Sequence, residues 1–107
     1  MNLAIESVSN DSYHLLVLEG DIDTKTAPEL FEALNQLELA SIGDLRIDMN
    51  SVGFLSSAGL RALLFAKQKM SNLNRLILIG ANNEIIEVIT KTGLSDAVML
   101  VTSHDEI

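Results

Sequence analysis

The chain has 107 residues, of which 48% are hydrophobic, so it can fill one hydrophobic core but not two. Its 15 acidic and 7 basic residues give a formal net charge of -8, which repels phosphate backbones and anionic lipids. This charge argues against nucleic-acid and membrane partners, and the absence of cysteine excludes disulfides, thiolate chemistry and sulfur-ligated metals.

The N-terminal residues lack the basic start and the continuous apolar stretch of a signal peptide. No apolar run approaches the roughly 18 residues that a membrane span requires. We therefore expect a cytoplasmic protein in which residues 1–107 form a single domain.

The first two predicted elements form a β-hairpin. Leu3 to Val8 alternates apolar and polar residues as a half-buried strand does, and Ser9 to Ser12 has the composition of a turn. Tyr13 to Leu18 is predicted as the second strand, and Gly20 to Asp23 ends this unit. Because the chain between the two strands is too short for a helical crossover, we expect them to pair antiparallel.

After Thr24 the spacing of apolar residues becomes helical. Pro28 suits the first turn of a helix, Thr26 or Ala27 would cap it, and the helical spacing continues to about Ala40. The next predicted elements are a strand at Asp44–Met49, a helix at Ser57–Met70, a strand at Arg75–Ile79, a helix at Asn82–Thr92 and a strand at Ala97–Val101. Residues 102–107 are expected to begin a further helix that the chain barely contains.

The predicted order of elements is ββαβαβαβ. Strands separated by single helices are expected to be parallel, and right-handed crossovers place the helices against the sheet. The fold class is therefore α/β, with a mixed sheet that opens on an antiparallel hairpin and continues in parallel βαβ units.

Few residues suit catalysis. A nucleophilic Ser57 would need a general base within hydrogen-bond reach, but the chain has only His14 and His104, and neither lies near the position of a triad partner. The sequence FLSSAG also differs from the GxSxG elbow of hydrolases, and the glycines match no phosphate-binding loop. We therefore expect no enzymatic activity, no catalytic residue and no cofactor.

Three carboxylates lie at the ends of predicted strands, where open α/β sheets bind ligands: Asp21, Asp23 and Asp48. Together they could hold Mg²⁺, as in a response-regulator receiver domain with Asp48 as the phosphate acceptor. However, a receiver begins with a strand followed directly by a helix, and no lysine follows the last strand here. The simpler interpretation is that these residues form turns and complement helix dipoles, and no metal site is expected.

Ser57 lies where the second helix begins. The plain interpretation is an N-cap, whose hydroxyl accepts a hydrogen bond from an early helix N–H and contributes about 0.5 to 2 kcal/mol. A helix start also favours added negative charge, so a phosphate on Ser57 would cost the fold little.

A projection at about 100° per residue separates two sides of this helix. The side expected to face the sheet contains Gly59, Ala62, Leu63, Ala66 and Met70. Arg61 lies beside Ser57, whereas Leu60, Leu64 and Phe65 flank this polar stripe. An exposed apolar group beside a modifiable hydroxyl indicates a protein-binding face, unless the first helix or a loop covers it.

Three segments, Gly20–Asp23, Ala27–Leu30 and Asp48–Leu60, together resemble the STAS domain of bacterial anti-sigma factor antagonists. The resemblance covers nearly the whole chain and implies a mixed sheet backed by helices. It also implies that the unmodified protein binds a kinase-type anti-sigma factor. This serine kinase would use ATP to phosphorylate the protein and end the partnership, and a serine phosphatase would be a further partner. The family's phosphorylated serine corresponds to Ser57, and the acidic residue of its GxxD element corresponds to Asp23.

This chain departs from the family at Ser56, where the family commonly has Asp, and this makes Ser56 a second, less favoured acceptor. Related domains also serve in stress-signalling assemblies, transporters and lipid-trafficking complexes, so a non-switching interaction subunit is the competing function. The predicted partner-binding residues are Asp21, Asp23, Ser56, Ser57, Leu60, Arg61, Leu64 and Phe65.

Overall fold

A computed structural model describes residues 3–41 and 43–107. The strands are β1 (Ala4–Ser9), β2 (Tyr13–Glu19), β3 (Asp44–Ser51), β4 (Leu76–Ile79) and β5 (Met99–Val101). The helices are α1 (Ala27–Asn35), α2 (Ser57–Lys69) and α3 (Asn83–Lys91), and short 3-10 turns occupy Leu94–Asp96 and His104–Glu106.

The five strands form one sheet in the order β1-β2-β3-β4-β5. Strands β1 and β2 are antiparallel, with Ile5 opposite Leu18, and every later pair is parallel. Ile47 of β3 lies between Leu16 of β2 and Leu78 of β4. The predicted mixed α/β sheet and its ββαβαβαβ order are confirmed.

All three helices lie on one face of the sheet. Each crossover joins neighbouring parallel strands in the same direction across the sheet, so right-handed connections place α1, α2 and α3 together. Leu45, Ile47 and Met49 of β3 join the core on this side. Side chains alternate along a strand, so Arg46 and Asp48 point to the opposite face, which we call the open face.

Three predicted boundaries differ from the structure by two residues or more. Helix α1 ends at Asn35 and not near Ala40, because residues 37–41 follow as tight turns that still bury Leu39. Strand β5 begins at Met99, since the chain at Leu94–Asp96 first makes a 3-10 turn. Strand β3 continues past Met49 to Ser51. In residues 37–41 the apolar residues keep a helical spacing, although the chain forms turns there and not a helix.

Candidate functional site at the start of helix α2

Two segments far apart in the sequence are joined at the N-terminal end of α2. The backbone N–H of Ile22 donates to the carbonyl of Phe54 at 2.9 Å, and the N–H of Ser56 donates to the carbonyl of Ile22 at 2.7 Å. Ile22 also forms an isolated parallel bridge with Leu55. The Gly20–Asp23 segment and the serine turn therefore form one continuous surface.

Gly59 allows this close approach. A Cβ atom at this position would lie 2.5 Å from Cγ2 of Ile22 and 2.7 Å from Cδ1 of Leu55, distances that real Cβ contacts do not show. Ile22 and Leu55 are both buried. The first turn of α2 consequently packs its backbone directly onto the joined segments.

The two serines have different structural environments. Ser56 has extended backbone angles of φ -80° and ψ 169°, and its hydroxyl accepts a hydrogen bond from the N–H of Gly59 at 3.1 Å. Ser56 is therefore the N-cap, and the prediction that Ser57 caps the helix is wrong, because the chain becomes helical only at Ser57. Ser57 is the exposed first residue of α2, and its hydroxyl has no hydrogen-bond partner among the described residues.

Asp23 holds the loop that precedes α1. Its carboxylate accepts hydrogen bonds from the backbone N–H groups of Lys25 and Thr26, both at 2.9 Å. The hydroxyl of the buried Thr26 in turn donates to the carbonyl of Asp21 at 2.7 Å. The bond from the N–H of Thr26 is the largest influence on the pKa of Asp23 and lowers it below the ordinary value. The contacts of this carboxylate therefore lie within its own loop.

Asp21 is half-buried beside the loop between β3 and α2. Its carboxylate oxygen Oδ1 would lie 2.9 Å from a Cβ atom built on Gly53, so Gly53 leaves room for this side chain. The structure thus places Asp21, Asp23, Ser56 and Ser57 in the joined segments that follow β2 and β3.

The projection of α2 is correct for the buried side, where Gly59, Ala62, Leu63 and Ala66 are buried. Arg61 is exposed, and Leu64 keeps 42% of its surface exposed. Leu60 and Phe65 are half-buried. The ring of Phe65 lies 4.5 Å from the ring of Phe31 in α1, so the first helix partly covers Phe65 but leaves Leu64 open.

Two apolar clefts lie along α2, one toward α1 and one toward the end of α3. The α1 cleft has a volume of about 310 Å³ and is lined by Thr24, Ala27, Pro28, Phe31 and Ala58. The α3 cleft has a volume of about 170 Å³ and is lined by Leu60, Leu64, Thr92, Gly93, Leu94 and Ala97. Since Ala58 lines one cleft and Leu60 lines the other, the exposed start of α2 forms a ridge between them.

Two exposed aromatic residues of this surface were not predicted from the sequence. Phe31 is 43% exposed and Phe54 is 49% exposed. Phe31 follows the buried Leu30 by about 100° around α1, so the projection applied to α2 would have found it. Phe54 lies in the loop before α2, where no periodic pattern exists to distinguish exposed from buried residues.

Asp48 lies apart from Asp21 and Asp23, on the open face. Its carboxylate accepts a hydrogen bond from the N–H of Asn50 at 2.9 Å and lies 3.0 Å from Nε2 of His104. Burial, the largest influence, raises the pKa of Asp48, but the hydrogen bonds to His104 and Asn50 outweigh it, so the pKa is lowered overall. Across residues 3–41 and 43–107, no group of three or more His, Asp or Glu side chains is placed to hold a metal ion.

Both histidines have hydrogen-bond partners other than the two serines of the turn. A ring nitrogen of His14 in β2 lies 2.6 Å from the hydroxyl of Ser7 in β1, and His104 contacts Asp48 on the open face. Within the described residues, Ser57 therefore has no histidine as a general base.

Comparisons with known proteins agree with this architecture. The family model of the STAS domain matches residues 4–107. The anti-sigma-B factor antagonist of Listeria monocytogenes is 31% identical over 109 residues, which cover 100% of this chain and 96% of that protein. The crystal structure of an anti-sigma factor antagonist from Mycobacterium paratuberculosis superposes with a TM-score of 0.87 at 26% identity, over 97% of this chain and 89% of that one.

A third similar structure is the Bacillus cell fate determinant SpoIIAA in its phosphorylated form, with a TM-score of 0.73, 15% identity and coverage of 96% of this chain and 95% of that one. At this identity the similarity concerns the fold alone. The chain belongs to the STAS domain family, a class of regulatory domains, and its relatives include anti-sigma factor antagonists. The receiver interpretation of Asp48 is therefore wrong.

Among the described residues, no helix is both long and apolar enough to span a bilayer.

Proposed function

We propose that this protein is an anti-sigma factor antagonist whose unmodified form binds a kinase-type anti-sigma factor through the surface around Ser57. The observation that carries the proposal is the exposed Ser57 hydroxyl on a ridge between the α1 cleft and the α3 cleft. Exposed apolar groups beside a modifiable hydroxyl are what a regulated protein interface needs. Relatives named as anti-sigma factor antagonists support the choice of partner, and the function requires a cytoplasmic protein.

Phosphorylation of Ser57 by the bound kinase would end the partnership. The Oγ atom of Ser57 attacks the γ-phosphorus of ATP, the bond from that phosphorus to the β–γ bridging oxygen breaks, and ADP leaves. The hydroxyl proton passes to a base of the kinase. A serine phosphatase would restore the hydroxyl by adding water to the phosphate ester and releasing inorganic phosphate.

The environments of the two serines favour Ser57 over Ser56 as the acceptor. The hydroxyl of Ser56 is half-buried and caps α2 through Gly59, so a phosphate there would have to disturb the helix start. The hydroxyl of Ser57 is exposed and holds no part of the described structure together. Modification of Ser57 can therefore act on binding without changing the fold.

Charge supplies the switching energy. A phosphoserine adds about -1.5 to -2 at pH 7, and this chain already carries -8. Leaving such a charge unpaired in an interface costs several kcal/mol, and about 1.4 kcal/mol corresponds to a tenfold change in affinity. The phosphorylated SpoIIAA structure shares this fold, which supports the idea that such a domain accommodates phosphate without refolding.

The test is to incubate the protein with the cognate kinase and ATP and to measure its intact mass, followed by mapping of the modified peptide. One added phosphate on Ser57 supports the switch, with Ser57→Ala unmodified and Ser56→Ala still modified. A protein that binds the kinase but gains no phosphate would overturn the switch and favour the non-switching interaction subunit. Phosphate found on Ser56 alone would overturn the choice of acceptor.

A further inference from the structure

The charges of this protein are unevenly distributed, and α2 is basic. The helix contains Arg61, Lys67 and Lys69, three of the seven basic residues of the chain, and none of its fifteen acidic residues. An acidic protein thus presents a cationic helix beside the proposed phosphorylation site. Arg61 lies one helical turn from Ser57, so the question is which anion its guanidinium binds.

Arg61 is the basic residue of α2 that lies near Ser57 and has no partner in the described structure. The ion pairs of the described residues join Arg75 to Asp44, Lys91 to Glu87 and His104 to Asp48. Lys67 donates to the carbonyl of Asn74, and Lys69 lies 5.7 Å from the ring centre of Phe65. Arg61 is exposed and enters none of these contacts, so its guanidinium is available.

Helical geometry brings Arg61 beside Ser57. Residues separated by four positions lie on the same face of a helix, with Cβ atoms roughly 5 to 6 Å apart. Both side chains are exposed, and α2 has no carboxylate that could compete for the guanidinium. The planar fork of arginine matches phosphate oxygens in a bidentate arrangement, which lysine cannot reproduce.

We propose that Arg61 binds the phosphate of phosphorylated Ser57 and holds it along the exposed ridge of α2. This inference rests on the proposed function only in taking Ser57 as the modified residue. Arg61 is then a positioning residue for the phosphate. Phosphorylation adds negative charge to the interface, and because Arg61 pairs with the phosphate, its positive charge is no longer available to the partner. The partner then loses contacts with two residues through one modification.

Lys25 is the competing cation. Lys25 is exposed in the loop before α1, which Ile22 connects to the start of α2 by backbone hydrogen bonds. The backbone N–H of Lys25 donates to the carboxylate of Asp23. Its side chain starts from a separate segment, whereas Arg61 starts from the same helix as Ser57. We therefore assign the phosphate to Arg61, and the test includes Lys25 as an alternative.

The experiment uses the full chain with phosphoserine incorporated at position 57 during translation, so that no kinase is required. Titration by phosphorus-31 NMR gives the second pKa of the phosphate in the parent protein and in Arg61→Ala, Arg61→Lys, Lys25→Ala and Lys69→Ala. Lys69→Ala is the matched control, because it removes the same charge from the same helix roughly 18 Å from Ser57.

Arg61 favours the dianion, so Arg61→Ala should raise the second pKa of the phosphate by roughly 0.2 to 0.4 pH units. Arg61→Lys should raise the second pKa of the phosphate by less than Arg61→Ala does, because lysine keeps the positive charge. Lys25→Ala and Lys69→Ala should also raise it by less than Arg61→Ala. Equal shifts in Arg61→Ala and Lys69→Ala, or a larger shift in Lys25→Ala, would overturn the assignment. Failure of the proposed function would be seen separately, as the lack of kinase transfer to Ser57.

Discussion

The backbone N–H of Ser56 donates to the carbonyl of Ile22 at 2.7 Å, and this bond fixes the start of α2 against the Gly20–Asp23 segment. The next residue, Ser57, is left exposed on the rim of this joint. A rigid backbone with a free hydroxyl is suited to a modification that changes surface charge without changing structure.

Acidic substitutions at Ser57 should weaken binding of the anti-sigma partner without unfolding the protein. Ser57→Asp and Ser57→Glu place a charge on the ridge between the clefts, so affinity should fall by roughly 100-fold or more, whereas Ser57→Ala should bind normally and resist switching. Calorimetric titration gives the affinities, and thermal melting gives the stability. Gln68→Glu is the control, since it adds one charge to α2 roughly 16 Å away. Loss of folding in Ser57→Asp as the sole cause of weak binding would contradict the account.

Ser56→Ala should destabilise the protein, whereas Ser57→Ala should not. Removing the N-cap leaves the N–H of Gly59 without its acceptor and should lower the free energy of unfolding by about 0.5 to 2 kcal/mol. Ser56→Asp should retain stability, because Asp is also a strong N-cap residue. Urea unfolding measures all three variants. If Ser57→Ala were the more damaging change, the cap assignment would be wrong.

Gly59→Ala should destabilise the protein, although Gly to Ala inside a helix usually stabilises it by up to about 1 kcal/mol. The added methyl group would meet Ile22 at 2.5 Å and Leu55 at 2.7 Å, and overpacking of this kind costs about 1 to 3 kcal/mol. The sign of the change in unfolding free energy is the measurement. A stabilised Gly59→Ala variant would show that the helix start has room to move.

Periodicity predicted the order of elements, and its failures have local causes. Alternation in the first two strands and the 3.6-residue spacing in the helices were sufficient for the sheet and its direction, because burial imposes both patterns. The helical spacing of Leu37 and Leu39 led to the wrong prediction that α1 continues to about Ala40. Leu39 is buried, but turns and not a helix bring it into the core. The choice between Ser56 and Ser57 as cap depends on one ψ angle, which no composition pattern specifies.

Only the local part of the surface around Ser57 could be predicted from the sequence. Projecting α2 from Ser57 placed Arg61 and Leu64 near this serine, which is a local calculation. Phe31 completes the surface from another helix, and Phe54 from a loop, so their placement depends on tertiary packing. The contact of His104 with Asp48 joins residues 56 positions apart and could not be read from either neighbourhood.

Stability in acid should depend on Asp23. Because hydrogen bonds lower its pKa in the folded state, its contribution is complete above the ordinary carboxylate pKa and is lost as pH falls through the lower, folded value. The stability difference between the parent protein and Asp23→Asn should therefore shrink on acidification below about pH 4. Urea unfolding at several pH values measures it, with Asp96→Asn as an exposed control. A difference that stays constant down to pH 2 would show that the carboxylate is not held as described.

The exposed apolar residues around Ser57 should contribute to partner binding more than to stability. Phe54→Ala and Leu64→Ala remove side chains that are 49% and 42% exposed, so unfolding free energies should change little. If these residues anchor the interface, each truncation should cost about 2 kcal/mol of binding, or roughly 30-fold in affinity. Leu73→Ala is the matched control, because Leu73 is 92% exposed in the turn after α2, at the opposite end of that helix from Ser57. Equal binding by all three variants would contradict the proposal, because a partner that docks beside Ser57 should make energetically important contacts with exposed apolar residues near it.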